Sequence, residues 1–98
     1  MILIHEATAG TSESGDARVT VIPKPGEGLT LELNGPSIAR FGDDIRTIAM
    51  DALSALGVSD ARVSIDEKGA LDATIQARLA AACGRAADTA GTPWEALR

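Results

Sequence analysis

Two periodicities divide this chain and limit the folds open to it. Three short runs alternate apolar and polar residues, at positions 18–22, 29–33 and 61–66. This period of two predicts strands with one buried face. Two longer segments, 38–56 and 71–86, instead repeat apolar residues at steps of three and four. That spacing predicts amphipathic helices. Both periods within 98 residues predict one small α+β layer.

The connections refine this prediction. Residues 2–7 are interpreted as a further short strand, and the Pro- and Gly-rich residues 23–28 as the loop of a β-hairpin joining the first two alternating runs. Asn34 or Ser37 is the expected N-cap of the first helix, whose apolar face includes Phe41, and Gly57 is expected to end it. We therefore expect residues 1–98 to form a single α+β domain, a mostly antiparallel sheet of three to four strands with two amphipathic helices packed on one face.

Further local features carry expectations. Gly84 is expected to fray the second helix, and Trp94 to pack back onto the domain. The acidic pairs Asp43-Asp44 and Asp66-Glu67 are interpreted as charges at helix starts.

Composition excludes several classes of function. One Cys and one His leave no internal disulfide, no Cys-based zinc site and no expected metal site. The net charge of −5 disfavours a nucleic-acid partner, and no apolar stretch reaches membrane-spanning length. No signal peptide is apparent, so we expect a cytoplasmic protein. His5 is interpreted as an exposed or edge-strand residue and Cys83 as a buried thiol; a small enzyme using either is the least favoured alternative.

The small, polar residues 8–16 are predicted to form a mobile loop, and they hold the best candidate for chemistry. Ser14 precedes Gly15 and Asp16, and a serine beside a residue without a side chain is accessible to a modifying enzyme. The Asp-Ser-Leu context of the common phosphopantetheine carriers is absent around Ser54 and Ser59. From spacing alone, an ordinary polar loop remains the simpler interpretation.

Five segments of the chain together match the sequence blocks of one known family. The first is Ala-Gly-Thr-Ser-Glu-Ser-Gly-Asp at 9–16. The others follow in the same order as in that family: FGDDIRT at 41–47, DEKGALD at 66–72, ARL at 77–79 and PWE at 93–95. In these segments the chain resembles the acyl carrier (gamma) subunit of citrate lyase, whose attachment signature is similar to residues 9–16. The resemblance spans nearly the whole chain.

The resemblance implies a carrier that breaks no bonds itself. In that family a phosphoribosyl-dephospho-coenzyme A arm is joined by a phosphodiester to the serine matched here by Ser14, within the motif formed by Glu13, Gly15 and Asp16. The arm ends in a thiol that holds an acetyl or citryl group as a thioester. The implied partners are the alpha (acyl transferase) and beta (acyl lyase) subunits and a prosthetic-group transferase.

Alternatives remain open at this point. Ser12 and Thr11 place two further hydroxyls beside Ser14, so attachment at Ser12 is the competing assignment. A malonate decarboxylase or citramalate lyase carrier would resemble this chain closely, and an unmodified structural subunit is also possible. The acidic surface, including Asp43 and Asp44, is a candidate for docking to basic rims on partner subunits.

Overall fold

The computed structural model describes residues 1–88, in which four strands and two helices form an α+β fold. In chain order the elements are β1 (Ala7–Ala9), β2 (Ala17–Pro23), β3 (Leu29–Asn34), α1 (Ile38–Ala55), β4 (Ala61–Glu67) and α2 (Asp72–Ala86). The predicted α+β class is confirmed. The prediction for Trp94 lies outside the described residues.

The sheet has the order β1-β2-β4-β3. The β1/β2 and β2/β4 pairs are antiparallel and the β3/β4 pair is parallel. The sheet is thus mostly antiparallel, as expected, but the predicted hairpin between β2 and β3 is wrong because β4 lies between them. Alternation specifies which face of a strand is buried and not which strand is its neighbour. The α1 crossover delivers β4 into the centre, where it pairs on both sides.

The hairpin that does form joins β1 to β2, with Ala9 opposite Val19. The strand predicted at 2–7 was therefore placed too early, and the loop is confined to residues 10–16. The preceding segment runs instead along the end of α2, where the Ile4 and His5 N–H groups donate to the Ala86 carbonyl over 2.8 and 3.2 Å. Local apolar content suggested a strand there, but these N–H groups are satisfied by a helix end.

The core lies between one face of the sheet and both helices, as predicted. Every second residue of β2 and β4 points into it: Ala17, Val19, Val21, Ala61, Val63 and Ile65. Helix α1 contributes Ile45, Ala49, Ala52 and Leu53, and α2 contributes Ile75, Leu79, Ala82, Cys83 and Ala86. The small alanines on these faces allow the helices to approach the sheet and each other closely.

Three local predictions for the helices fail. Gly84 is buried within α2, which continues to Ala86 without fraying there. Phe41 is 47% exposed, because the buried stretch of α1 begins one turn later, at Ile45. Asp43 and Asp44 lie beyond the first turn of α1, which holds no acidic residue.

The two ends of α1 agree better with prediction. Ser37 is the N-cap residue, although its side chain makes no capping hydrogen bond. Gly57 follows the C-cap Leu56 and has a φ of +74°, the left-handed conformation that glycine favours after a helix.

One arginine contacts each edge strand of the sheet. Arg46 of α1 donates to the Leu31 carbonyl on β3 over 3.4 Å, and Arg85 of α2 donates to the Thr8 carbonyl on β1 over 2.7 Å. The Arg85 bond also fixes the hairpin that carries the candidate site. Within residues 1–88, neither helix has the length and apolarity needed to cross a membrane.

Candidate functional site

Ser14 lies at the tip of the β1/β2 hairpin, in a four-residue turn. The turn closes where the Asp16 N–H donates to the Glu13 carbonyl over 3.0 Å. Gly15 occupies its third position with a φ of +84°, the conformation that a type II turn requires there. Ser14 at the second position is exposed. A Cβ built on Gly15 would meet nothing within 4 Å, so the space beside Ser14 is open to a modifying enzyme.

The base of this loop is closely packed, in contrast to its tip. Gly10 has a φ of +90°, and a Cβ at this position would overlap the Ala17 carbonyl oxygen. Only glycine allows the two arms of the hairpin to approach so closely. The predicted loop is therefore a short turn on a fixed base.

The Asp16 carboxylate organises the base. Arg78 of α2 donates to it in a bidentate pair, with Nε–Oδ1 and Nη2–Oδ2 distances of 3.0 Å each. The Thr11 hydroxyl and N–H donate to Oδ2 over 2.7 and 3.1 Å, and the Ala17 N–H donates to Oδ1 over 2.7 Å. These bonds, chiefly that from Arg78, then those from Thr11 and Ala17, hold the pKa of Asp16 well below its usual value. A charged carboxylate thus connects the loop to α2.

A main-chain ladder holds the other side of the turn. The Gly15 N–H donates to the Lys68 carbonyl over 2.7 Å, and the Lys68 N–H donates to the Asp16 carbonyl over 2.9 Å. These bonds place Gly15 and Asp16 together opposite Lys68, a β-bulge that continues the β2/β4 pairing beyond Ala17 and Glu67. Ser14 is therefore presented at the end of the sheet.

Glu67, just before Lys68, was predicted as a charge at a helix start, and the structure shows in addition that it is buried. Its Oε1 accepts the Ser37 N–H at 2.6 Å and its Oε2 accepts the Gly69 N–H at 2.7 Å. Burial alone would raise the pKa of Glu67, but the hydrogen bonds outweigh it and the pKa is lowered. Glu67 does lie at a helix start, but at that of α1 and not of the following helix. No local signal reveals this contact, since 30 residues separate its partners.

The three hydroxyls of the loop differ in their surroundings. The Thr11 hydroxyl is engaged, because it donates to Asp16 and accepts the Glu13 N–H at 3.2 Å. Ser12 and Ser14 are both exposed, and neither hydroxyl has a hydrogen-bond partner within residues 1–88. Only Ser14 is followed by a glycine with open space beside it. The geometry therefore favours Ser14 over Thr11, and the neighbouring glycine favours it over Ser12.

The two residues considered for catalysis lie in other parts of the structure. Cys83 is fully buried in α2, where loss of solvation raises the pKa of its thiol to about 11. His5 is in the N-terminal segment, with its Nε2 3.8 Å from an Asp88 carboxylate oxygen. The described part of the chain contains no cluster of His, Cys, Asp or Glu that could hold a metal ion.

Comparison with known proteins agrees with this geometry. Residues 4–86 match the model of an acyl carrier family described as malonate decarboxylase delta subunit (MdcD). Citrate lyase acyl carrier protein from Cronobacter sakazakii is 43% identical over 98 residues, covering all of both chains. The proteins of that name from Rhodopseudomonas palustris and Vibrio cholerae are 43% and 42% identical over 97 residues, covering 99% of each chain. The chain therefore belongs to the acyl carrier family that contains the citrate lyase acyl carrier proteins.

Proposed function

We propose that this protein is the acyl carrier subunit of a cytoplasmic citrate lyase complex, and that its carrier domain spans residues 1–98. It would carry its acyl group on a phosphoribosyl-dephospho-coenzyme A arm attached to Ser14. The observation that carries this proposal is an exposed, unengaged Ser14 hydroxyl at the tip of a turn whose base is fixed. Full-length relatives named citrate lyase acyl carrier protein support the choice of complex.

The residues around Ser14 fit a phosphodiester. The Ser14 hydroxyl breaks no protein hydrogen bond on modification, and Gly15 leaves an approach path for the donor. Asp16 adds little repulsion to an incoming phosphate because its charge is paired with Arg78. Within the motif, Ser14 accepts the phosphate of the arm and Gly15 leaves space for the donor. The main-chain hydrogen bond between Asp16 and Glu13 closes the turn.

Attachment is a substitution at phosphorus. The donor would be an activated form of the arm, whose phosphate carries a leaving group. A bond forms between Ser14 Oγ and this phosphorus while the bond from phosphorus to the leaving group breaks, and the serine proton passes to a base of the prosthetic-group transferase. The carrier supplies the nucleophile and its position.

The arm, once attached, supplies a terminal thiol that holds acetyl or citryl as a thioester. The carrier then presents this group to the alpha subunit for exchange and to the beta subunit for cleavage to oxaloacetate. Tethering replaces a bimolecular encounter by a high effective concentration. The rigid base of the turn suits this role, because it fixes the point from which the arm extends.

Mass spectrometry of protein purified from its native host tests the proposal. We expect the intact mass to exceed that of the chain by one arm, on the peptide containing residues 10–16. The gain should be lost in Ser14→Ala and retained in Ser12→Ala and Thr11→Val. If the mass gain is lost only in Ser12→Ala, the arm is attached to Ser12. If the protein from cells that cleave citrate is unmodified, it is a structural subunit and the carrier proposal is wrong.

Thiol titration gives a second, independent readout. The only cysteine of the chain, Cys83, is buried and its thiol pKa is raised to about 11, so the native unmodified protein should react slowly with a thiol reagent near neutral pH. The loaded protein should show one rapidly reacting thiol per chain, that of the arm. A rapid thiol in Ser14→Ala would show that this signal does not report the arm.

A malonate decarboxylase carrier is the second candidate, because the matching family model carries that description. It would use the same attachment but a different acyl group. Mass analysis of the thioester from the native host separates acetyl or citryl from malonyl and from citramalyl.

A further inference from the structure

A groove of about 630 Å³ opens between the start of α1 and the start of α2. Its apolar walls include Phe41, Ile45, Ala70 and Leu71. Phe41 is 47% exposed and Leu71 is 75% exposed. Both are large apolar side chains beside a concave surface, an arrangement typical of binding sites for protein partners.

The groove is joined directly to the Ser14 turn. Gly69 lines it, and the preceding residue, Lys68, makes the two main-chain hydrogen bonds that hold Gly15 and Asp16. The connection from β4 to α2 therefore borders the turn on one side and the groove on the other. A protein that covers the turn reaches the groove within a few residues.

The turn by itself gives such a protein little to hold. Its exposed residues are Thr11, Ser12, Glu13, Ser14 and Gly15, none of which has a large apolar side chain. A stable interface buries about 800 Å² on each partner and draws most of its energy from a few aromatic or large apolar residues. The groove supplies the apolar residues that the turn lacks.

The charges at the groove indicate the chemistry of the occupant. Asp44 and Asp72 line it, and neither forms an ion pair within residues 1–88. On the open face of the sheet, by contrast, Glu32 is paired with Arg62 over 2.6 Å and Asp66 with Lys68 over 3.6 Å. Unpaired carboxylates around an apolar groove repel a phosphate-bearing arm and attract a basic protein surface.

We propose that this groove is the docking site of the transferase that attaches the arm to Ser14. The transferase inserts an apolar side chain beside Phe41 and Leu71, with Lys or Arg residues facing Asp44 and Asp72. This inference rests on the proposed function, since it requires an enzyme that acts on Ser14. In this proposal the transferase recognises the carrier at the groove, and the Ser14 turn accepts the arm.

Loading kinetics test this division. The purified transferase of the same host and its arm donor are incubated with the unmodified carrier, and the mass gain is followed over time. We expect Leu71→Ser and Asp44→Lys each to raise KM roughly tenfold with kcat unchanged, because docking contacts bind ground state and transition state alike. Added salt should raise KM for the wild type more than for Asp44→Lys.

Matched controls occur elsewhere on the surface. Ile2→Ser removes an apolar side chain that is 85% exposed, and Asp51→Lys reverses an exposed charge on α1; neither residue lines the groove. Both should leave KM within about twofold. Equal effects of the control and groove variants, or a fall in kcat with KM unchanged, would overturn the proposal. Urea denaturation of each variant verifies that it is folded.

Binding measured without transfer separates this inference from the proposed function. Calorimetry should show that the transferase binds the Ser14→Ala carrier. Adding Leu71→Ser to this variant should raise the Kd roughly tenfold. Such binding without modification of the wild type would overturn the attachment at Ser14 and keep the groove. If Ser14 is loaded and the groove variants have the same KM as the wild type, the attachment at Ser14 stands and the groove proposal is overturned. NMR shifts of Phe41 and Leu71 on loading alone, without a KM effect, would show that the arm occupies the groove.

Discussion

Two turns of this protein share a positive-φ glycine and a carboxylate that accepts backbone N–H groups, but only one of them is part of the core. The loop of residues 10–16, which carries the Ser14 turn, and the Gly35 turn, residues 34–37, each begin near a glycine with positive φ, +90° at Gly10 and +139° at Gly35. A Cβ on either glycine would overlap a backbone carbonyl oxygen, that of Ala17 or of Glu67. Each turn is also held by a carboxylate that accepts backbone N–H groups, Asp16 in one and Glu67 in the other.

The surroundings of the two carboxylates differ. Asp16 keeps 15% of its side chain exposed and is neutralised by Arg78. Glu67 is fully buried, forms no ion pair within residues 1–88, and is satisfied by backbone N–H groups at the start of α1 and at Gly69. The Gly35 turn is therefore part of the core, whereas the Ser14 turn is fixed only at its base. The tip of the Ser14 turn can therefore change without loosening the fold.

Gly35→Ala should have the largest effect on stability. The new Cβ would overlap both the carbonyl and the carboxylate of Glu67, so we expect a loss of about 3 kcal/mol or more in the free energy of unfolding. Gly26→Ala is the control for a positive φ without a close contact, because Gly26 has a φ of +76° and nothing lies within 4 Å of the new atom. It should cost only about 1 kcal/mol. Urea denaturation measures both, and equal losses would show that the contact with Glu67 is unimportant.

Glu67→Gln should rank second. The amide keeps the shape of the side chain but turns an NH₂ group toward one of two buried backbone donors, leaving that donor unsatisfied at a cost of about 2 kcal/mol. Glu32→Gln removes an exposed charge paired with Arg62 and should cost less than about 1 kcal/mol. If urea denaturation shows equal losses of unfolding free energy in the two variants, the burial of Glu67 does not make it more important for stability than the exposed Glu32.

Asp16→Asn should have a smaller, pH-dependent effect. Because the pKa of Asp16 is lowered in the folded state, its charge stabilises the fold above the usual value of 3.8 and the contribution is lost as the pH falls below it. We expect the variant to melt several degrees below wild type near pH 7, and this gap to narrow by about pH 2.5.

Calorimetric melting curves measure that gap, and Asp51→Asn, at an exposed site of α1, is the control. A gap that is constant with pH would mean that the Asp16 charge is not what connects the loop to Arg78.

Ser14→Ala should have the smallest effect. The side chain is exposed and its hydroxyl has no partner within residues 1–88, so the free energy of unfolding should change by no more than about 0.5 kcal/mol. Gly15→Ala nearby should cost about 1 kcal/mol through its positive φ alone. A large loss in Ser14→Ala by urea denaturation would contradict the independence of tip and base.

The turn that carries Ser14 was largely predictable from the sequence because its signals are local. A glycine after Ser14 and an aspartate after that glycine describe a turn within four residues, and the resemblance of residues 9–16 to a known signature names the serine. The Asp16–Arg78 pair and the Glu67–Ser37 contact were not predictable. Their partners are 62 and 30 residues apart. Glu67 follows Ile65 by two residues and so continues the buried face of β4, but no local pattern identifies Ser37 as its partner or Arg78 as that of Asp16.

The sequence by itself determined three of the four strands, both helices and most of their buried residues. Backbone geometry ties a period of two to a strand and a period near 3.6 to a helix, so residues 18–22, 29–33 and 61–66 had to be strands with one apolar face, and 38–56 and 71–86 had to supply helices. Only the tertiary structure decided that β4 separates β2 from β3, that Phe41 remains exposed, and that Lys68 supports the Ser14 turn. The order of the strands and the packing of the helices on the sheet depend on how distant segments compete for one shared core. No local sequence pattern specifies the outcome of that competition.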